Sequence, residues 1–237
     1  MTAKQRLGKL MFSRMPITRF LFDQLRVETN SWLRRFENSV SPRKRKRLAT
    51  IASAHNLRVN VACGPSPIEN FVNLDLLPSS SQVIGWDCRR SLPLGDGSAI
   101  GIRVEHFLEH LEAREELPQF LTECMRVLAP GGLMRVIVPD AGRFLAAYAD
   151  ASESSFRSLG FEPFPDDLPT RMDVVNHVFH QWSEHRWGYD FENLSHRLAS
   201  AGFREITRMT FGKSADPFLG LDREVHAPYS LYVEAKK

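Results

Sequence analysis

Ionisable side chains crowd one short segment of this sequence, Glu105-His106-Phe107-Leu108-Glu109-His110. Imidazole changes charge near neutral pH, so a histidine here could take a proton from a hydroxyl group as a general base. His106 is preferred because a strand ending at Glu105 would place it at the mouth of a site, although it could equally be a wall residue with no proton role. The other candidate bases are His110, Asp140, His177, His180 and His185.

The same segment matches the H-x-x-E-H pattern of an inverted zinc peptidase, with Glu109 as base and Glu184 as a distant third ligand. The context argues against this interpretation, because His106 directly follows a strand whereas a zinc helix holds its two histidines mid-helix. The downstream histidines His177, His180 and His185 could also hold a metal, but exposed histidines in a polar loop are the commoner explanation. We expect no metal site.

Three predicted strands end in residues suited to binding a nucleoside. The strand Val59–Ala62 runs into Cys63-Gly64-Pro65, where Gly64 lets a ligand approach the backbone because it has no Cβ. The next strand ends at Asp75, which could accept hydrogen bonds from ribose hydroxyls, and the third ends at Asp87-Cys88, beside an adenine amino group. Ligands of parallel sheets lie beyond the carboxyl ends of the strands, so these ends predict one nucleoside site. An incidental surface role is the alternative for Asp75.

From residue 58 onward, short apolar strands alternate with longer helical stretches, which is typical of a parallel α/β sheet. The predicted strands are 58–62, 71–74, 82–86, 100–105 and 133–138, with two closing β-rich stretches at 205–211 and 230–235. Helices are predicted at 113–128, before Pro130-Gly131-Gly132, and at 191–201, with Asp190 as N-cap and Gly202 past the end. We predict a Rossmann-like, seven-stranded, mostly parallel sheet with helices on both faces.

The N-terminal segment differs sharply in charge from the rest of the chain. Residues 1–50 hold 13 Lys and Arg against 3 Asp and Glu, whereas the remainder holds 18 against 25. We therefore divide the chain into a basic helical extension, 1–50, in which Pro16 separates two helices, and a domain, 51–237, with a His- and Pro-rich cover insertion at about 150–187. The acidic domain argues against a nucleic-acid partner. The extension could contact an anionic membrane surface, dock a partner, or pack as a solvated lid.

Cellular location is indicated by the cysteines and by the apolar runs. The three cysteines are odd in number and lack metal-like spacing, so disulfides are not expected and a cytoplasmic location is favoured. Membrane contact through residues 1–50 would make the protein peripheral to the inner membrane face. No apolar run approaches the roughly 20 residues of a transmembrane helix.

Taken in order, these motifs resemble the methyltransferase type 11 group of class I S-adenosylmethionine-dependent methyltransferases. The similarity is greatest to the branch found in polysaccharide and lipopolysaccharide biosynthesis. It covers about residues 57–237 and rests on the ordered set, since each motif is common by itself. The motifs are the Ala62-Cys63-Gly64 turn, the Asn73-Leu74-Asp75 strand end, the loop 92–98, the histidine segment, the stretch 123–132, Val138-Pro139-Asp140, the segment 185–190 and the closing strand 230–235.

The resemblance implies S-adenosylmethionine as cofactor and a small-molecule or glycan acceptor, with oxygen preferred over nitrogen or carbon as the acceptor atom. Residues 62–65 would line the methionine and ribose part, Asp75 would take the ribose hydroxyls, Asp87 and Cys88 would border the adenine, and Glu105 and His106 would lie beside the sulfonium. His185, Trp187 and Tyr189 would face the acceptor, with core or lid packing as the alternative for the two aromatic residues.

Two departures from the family pattern favour a competing interpretation, a non-catalytic scaffold of the same fold. Ile100 is apolar where the family usually has an acid. A crossover helix also does not fit between Gly64 and Phe71, because such a connection needs about a dozen residues. The oligomeric state is not indicated by the sequence.

Overall fold

The computed structural model describes residues 18–150, 153–161 and 164–237. Seven strands form one sheet in the order β3-β2-β1-β4-β5-β7-β6, in which β7 is antiparallel to both neighbours and the other pairs are parallel. The predicted seven-stranded Rossmann-like sheet is therefore confirmed. The strands are β1 Leu57–Val61, β2 Val72–Asp75, β3 Val83–Gly85, β4 Ala99–Glu105, β5 Leu128–Pro139, β6 Arg204–Met209 and β7 Ser230–Lys236.

Seven α-helices are found in the described part of the chain, and residues 62–71 between β1 and β2 contain none. The shortened first crossover is thus as predicted. No described helix is both long enough and apolar enough to cross a membrane. The helices are α1 Arg19–Val40, α2 Pro42–Ala52, α3 Glu116–Val127, α4 Ala141–Asp150, α5 Glu153–Arg157, α6 Arg171–His180 and α7 Phe191–Ser200.

One face of the sheet carries a row of buried polar residues across five strands. The residues are paired in register from β2 through β1, β4 and β5 to β7, and each is at most 3% exposed. Asn60 and Asn73 donate hydrogen bonds to backbone carbonyls of residues 66–71, and Arg135 donates to those of Thr210 and Lys213. Apolar side chains could not supply these partners to irregular chain. The polar residues of this sheet face therefore bind the backbone of the shortened crossover, which has no helix to satisfy its own carbonyls. The row is Asn73, Asn60, Arg103, Arg135 and Glu234.

Strand β5 begins five residues earlier than predicted. Leu128 pairs with Ala99, and the register then shifts so that Leu133 pairs with Gly101. Gly131 has φ +75°, so the expected glycine turn is present as an irregularity within the strand.

The segment predicted as a weakly periodic cover loop contains two short helices, α5 and α6, within chain that is otherwise irregular where the structure describes it. Helices α4, α5 and α6 share a small apolar core that includes Phe144, Phe156 and Val174. Helix α6 begins with a capping box in which Thr170 and Asp173 bond each other's backbone N–H groups.

Helix α1 attaches to the sheet edge through its polar side. Ser31 donates to Asp87 at 2.5 Å, Asn38 donates to the carbonyl of Gly85 at 3.0 Å, and Arg34 donates to the carbonyl of Leu76 at 3.2 Å. Ser41 then caps α2, so the basic run at 43–47 begins a further helix. The helix predicted before Pro16 lies outside the described residues.

The outer side of α1 is apolar, the reverse of an ordinary surface helix. Six large apolar side chains, each between 39% and 62% exposed, fall within one arc of the helix. These residues, called the apolar stripe below, are Leu21, Leu25, Trp32, Leu33, Phe36 and Val40.

Candidate active site

A cavity of about 400 Å³ opens at the carboxyl ends of β1 and β4. Its size is typical of small-molecule sites. The turn after β1 and the segment after β4 form two of its walls. The turn after α6 contributes Gln181, and the loop before β7 contributes Arg223, His226 and Tyr229. Four distant parts of the sequence therefore share one cavity.

The backbone at both strand ends adopts conformations that L-residues rarely occupy. Ala62 has φ +50° and Gly64 has φ +54° after β1, and His106 has φ +52° directly after β4. A side chain built on Gly64 would meet no atom within 4 Å, so the turn has an open side. Non-glycine residues with positive φ cost free energy and occur disproportionately at functional sites.

Asp75 joins the turn after β1 to the end of β2. Its carboxylate accepts hydrogen bonds from the backbone N–H groups of Gly64 and Leu77, each at 2.8 Å and each on a different oxygen. Each carboxylate oxygen can accept a second hydrogen bond. Asp75 therefore still has acceptor capacity for ribose hydroxyls while it shapes the glycine turn.

Asp87 differs from the expectation that it borders an adenine. One oxygen accepts the backbone N–H and Nε of Arg89, and the other accepts Nη2 of Arg89 and the hydroxyl of Ser31. This uses the acceptor capacity of the carboxylate. Burial raises the pKa of Asp87, but the hydrogen bonds from Arg89 and Ser31 outweigh it, so the net direction is down. Asp87 anchors α1.

The two cysteines assigned to the cofactor have different surroundings. Cys63 lines the cavity, and burial raises the pKa of its thiol to about 12, so it is not a nucleophile. Cys88 is 4% exposed and packs in the main apolar core, where it cannot border a ligand. Pro65 is exposed and lies outside the cavity wall, which continues instead through Ser66, Pro67 and Ile68.

Glu105, at the end of β4, faces the cavity within an ion-pair network. Its carboxylate accepts hydrogen bonds from Arg103 at 2.5 Å and from the backbone N–H of Arg223 at 3.2 Å, and Nδ1 of His226 lies 3.0 Å from it. Burial raises the pKa of Glu105, but His226 and Arg103 outweigh it and lower the pKa to about 2. The cavity wall therefore carries a fixed negative charge beside the guanidinium of Arg103.

His106 contacts three groups at the cavity wall. Its Nε2 lies 2.8 Å from the hydroxyl of Ser230, and its ring stacks on His226 with centroids 3.8 Å apart. Its Nδ1 lies 3.3 Å from Oε1 of Glu109, without hydrogen-bond geometry. Burial raises the pKa of Glu109 and the nearby imidazoles of His106, His110 and His185 lower it, with a net lowering.

The peptidase arrangement does not form. Leu108–His110 is a single 3₁₀ turn, and the following helix begins only at Glu116, so His106 and His110 do not share a helix face. The side chain of Glu184 accepts a hydrogen bond from Gln181 at 3.2 Å, and its backbone carbonyl bonds Nδ1 of His110.

His110 and His185 both line the cavity, with ring centroids 4.9 Å apart. The backbone carbonyl of Glu109 brings the two segments together, because it accepts hydrogen bonds from the N–H groups of Arg186 and Trp187. Burial lowers the pKa of His185, which favours its neutral imidazole. Of the three histidines at 177–185, only His185 reaches the cavity.

Pro65, Asp75, Asp87 and Cys88 do not line the cavity, and three further assigned residues also lie outside it. Asp140 is 2% exposed and bonds Arg208 at 2.5 Å and the backbone N–H of Arg143, so it is not a free base. Tyr189 is fully buried in the main core, and its hydroxyl donates to the carbonyl of Leu108. Trp187 is 41% exposed beside Arg197, on a different surface.

Several cavity residues were not predicted from the sequence. They are Asn60 and Arg103 within strands, and Leu221, Arg223, His226 and Tyr229 in the loop before β7. Asn60 and Arg103 could have been found from the sequence, because each is a polar residue inside an otherwise apolar strand and therefore points to one face of the sheet. Nothing local marks the other four, because only the packing of the loop brings them to β4.

A model of a known protein family matches one part of the chain. Residues 70–136 match the family model described as a methyltransferase domain. The match spans β2 to β5, about a quarter of the chain, and includes Asp75, Asp87 and the histidine segment. The seven-stranded sheet with antiparallel β7 is the Rossmann-like fold of such domains. No curated protein sequence matches this chain.

Solved structures of methyltransferases are also similar to this chain. One from Archaeoglobus fulgidus is 17% identical, with 85% of this chain and 98% of that chain covered and a TM-score of 0.46. A possible histamine N-methyltransferase from Thermotoga maritima is 16% identical, with 92% and 97% covered and a TM-score of 0.47. Human N-acetylserotonin methyltransferase in complex with S-adenosylmethionine is 14% identical, with 90% and 55% covered and a TM-score of 0.43. The substrates named for these proteins carry no information on the acceptor here.

The cofactor of the methyltransferase domain is S-adenosylmethionine, and the strand ends fit it in two of three respects. Gly64 leaves an open approach to the backbone, and Asp75 retains acceptor capacity beside it. Asp87 offers no acceptor for the adenine. Gly64, Asp75 and the cavity wall at Glu105 are therefore the residues that would hold the ribose and methionine parts.

Proposed function

We propose that the protein is an S-adenosylmethionine-dependent methyltransferase that acts on a hydroxyl group of a small or glycan-linked acceptor. One observation carries the proposal. The open glycine turn after β1 and the imidazole of His106 after β4 line the same cavity of about 400 Å³. A methyl donor and an acceptor hydroxyl bound there would share one cavity with an imidazole that can take a proton.

The cavity wall favours a polar acceptor. Gln181, Arg223, His226 and Tyr229 line the cavity with groups that can donate or accept hydrogen bonds. Sugar hydroxyls are suited to such a wall, and the motif order resembles the polysaccharide and lipopolysaccharide branch. We infer a glycan-linked or similarly polyhydroxylated acceptor on this basis.

His106 acts as the general base in this proposal. Bound S-adenosylmethionine supplies an electrophilic methyl group, and the acceptor oxygen must lose its proton as it attacks. Ser230 at Nε2 and the carboxylate of Glu109 near Nδ1 orient the ring at the cavity wall. The proton of the acceptor would therefore go to His106.

The N-terminal extension contacts an anionic membrane face in this proposal. The apolar stripe of α1 points away from the domain, and five consecutive basic residues, 43–47, open the adjoining helix α2. An apolar face combined with clustered Lys and Arg is typical of helices that lie on anionic lipid. A glycan carried on a lipid would meet the enzyme at such a surface.

Titration of the purified protein with S-adenosylhomocysteine, followed by calorimetry, tests the enzyme proposal. We expect one molecule bound per chain with a dissociation constant in the micromolar range. Absence of binding, with the protein folded by circular dichroism, would instead favour the non-catalytic scaffold.

A further inference from the structure

Glu109, His110 and His185 form a compact cluster beside the cavity. Each offers one potential ligand atom, and these atoms lie within 4.8 Å of one another. Ligand atoms around a tetrahedral zinc ion lie roughly 3.4 Å apart. Side-chain rotations that move these ligand atoms by about an ångström would therefore bring the three residues into coordination geometry.

The carboxylate of Glu109 is buried without a hydrogen bond. The residue is 1% exposed, and neither oxygen has a hydrogen-bond partner in the part of the chain that the structure describes. A buried carboxylate is costly unless it is paired or coordinates a metal. The contact with His106 Nδ1 at 3.3 Å leaves Oε2 without any partner.

In both histidines the same ring nitrogen, Nδ1, contacts a backbone carbonyl. Nδ1 of His110 lies 3.0 Å from the carbonyl of Glu184, and Nδ1 of His185 lies 2.8 Å from the carbonyl of Val178. A carbonyl accepts only, so each Nδ1 carries the proton, and in the neutral ring the lone pair is on Nε2. Metal-binding histidines are oriented in this way, with the second nitrogen donating to a backbone carbonyl.

We propose that Glu109, His110 and His185 bind one divalent transition-metal ion, with Zn²⁺ as the reference ion. Two imidazoles and one carboxylate are a ligand set for Zn²⁺ and for related ions such as Fe²⁺. The cation would neutralise the buried carboxylate. Three protein ligands leave a fourth position, and since all three residues line the cavity, a small molecule bound in the cavity could occupy it.

This site is distinct from the zinc-peptidase pattern, which uses His106 and His110 as ligands and Glu109 as base. Here Glu109 is a ligand and His185 replaces His106, whose Nε2 bonds Ser230. If the proposed methyl transfer also holds, the open position would bind an acceptor oxygen, which would restrict acceptors to those with a hydroxyl or carboxylate near the methylated atom. That consequence rests on the proposed function, whereas the metal site does not.

The test is a metal titration of the full-length, tag-free protein after treatment with a chelator. Co²⁺ is added first, because its visible absorption bands report the coordination geometry, and Zn²⁺ is then used as competitor. We expect one Co²⁺ per chain, displaced by one Zn²⁺. We expect Glu109→Gln and His110→Gln each to weaken binding at least about tenfold. Bound Zn²⁺ should raise the unfolding temperature of the wild type more than that of either cluster variant.

His196→Gln is the matched control, since it makes the same chemical change at an exposed position on α7. It should bind metal as the wild type does. The proposal is overturned if the wild type binds no stoichiometric metal, or if both cluster variants bind it as tightly as the wild type. His110 is only partly buried, so His110→Gln decides the matter if Glu109→Gln does not fold. Metal binding without binding of S-adenosylhomocysteine would count against the methyl transfer and not against the metal site.

Discussion

The backbone N–H of Gly64 donates a 2.8 Å hydrogen bond to the carboxylate of Asp75, which ties the turn after β1 to the end of β2. No helix separates these strands, so this bond and the one from Leu77 substitute for a helix N-terminus in shaping the turn. Asp75 thus fixes the glycine turn at the end of β2 and still has acceptor capacity for a ribose hydroxyl.

Asp75→Asn should weaken the binding of S-adenosylhomocysteine by about ten- to a hundredfold. Hydrogen bonds to charged groups contribute about 1.5–3 kcal/mol each, and the amide supplies only one acceptor oxygen. Calorimetric titration measures the change. Asp96→Asn is the control, because the side chain of Asp96 is 83% exposed and lies in a different loop. Equal affinities in the three proteins would remove Asp75 from the cofactor site.

His106→Ala should reduce turnover by about 10²- to 10⁴-fold, the range usual for a general base, while binding of S-adenosylhomocysteine is retained. The ring also stacks on His226, so a structural effect must be separated from a chemical one. His106→Gln keeps a side chain of similar size and should be equally inactive. Activity within a few-fold of wild type in either variant would exclude His106 as base.

Glu105 should contribute stability that depends on acid pH. Its folded-state pKa of about 2 lies below the ordinary value of 4.5, so its contribution is present above about pH 4.5 and is lost as the pH falls towards 2. The wild type should therefore exceed Glu105→Gln in unfolding free energy near pH 6 by on the order of 3 kcal/mol, and by much less near pH 3. Urea unfolding at several pH values measures this. Glu205→Gln, at an exposed site, should show no such trend.

Arg135→Met should destabilise the protein by about 3–5 kcal/mol, because it leaves buried carboxylates without their cation. Arg135 is fully buried and pairs with Asp222 at 2.5 Å and Glu234 at 3.0 Å. The same change at exposed Arg114 should be nearly neutral. Urea unfolding of both variants at neutral pH provides the comparison, and a loss below about 1 kcal/mol at Arg135 would contradict the buried network.

Binding to vesicles that contain anionic lipid should be salt-sensitive and should depend on the apolar stripe. Trp32→Ser combined with Phe36→Ser should weaken it at least about tenfold, since each buried aromatic contributes roughly 1.5–3 kcal/mol. Val225→Ser is the control, because Val225 is 63% exposed at a distance from α1 along the chain. Flotation assays at two salt concentrations measure binding. Undiminished flotation of the double variant would argue against the membrane surface.

The strands and the principal helices were predictable because their signals are local. Alternating and continuous apolar runs marked all seven strands, and capping chemistry at Asp190 and Gly202 marked α7. The rule that parallel strands share one carboxyl edge also brought Gly64, Asp75 and His106 to the same edge of the sheet. These features depend on residues a few positions apart.

Only the tertiary structure decided which of the candidate residues face the cavity. The sequence pattern around Asp140 and Tyr189 indicated a site as clearly as that around His106. In the structure, however, Asp140 pairs with Arg208 and Tyr189 is buried in the apolar core. His226 reaches Glu105 across 121 positions of sequence, and His185 reaches His110 through backbone bonds to Glu109. The sequence by itself determined the sheet and its ligand-binding edge, because periodicity and turn chemistry are local. The composition of the site depended on long-range packing, which no short pattern encodes.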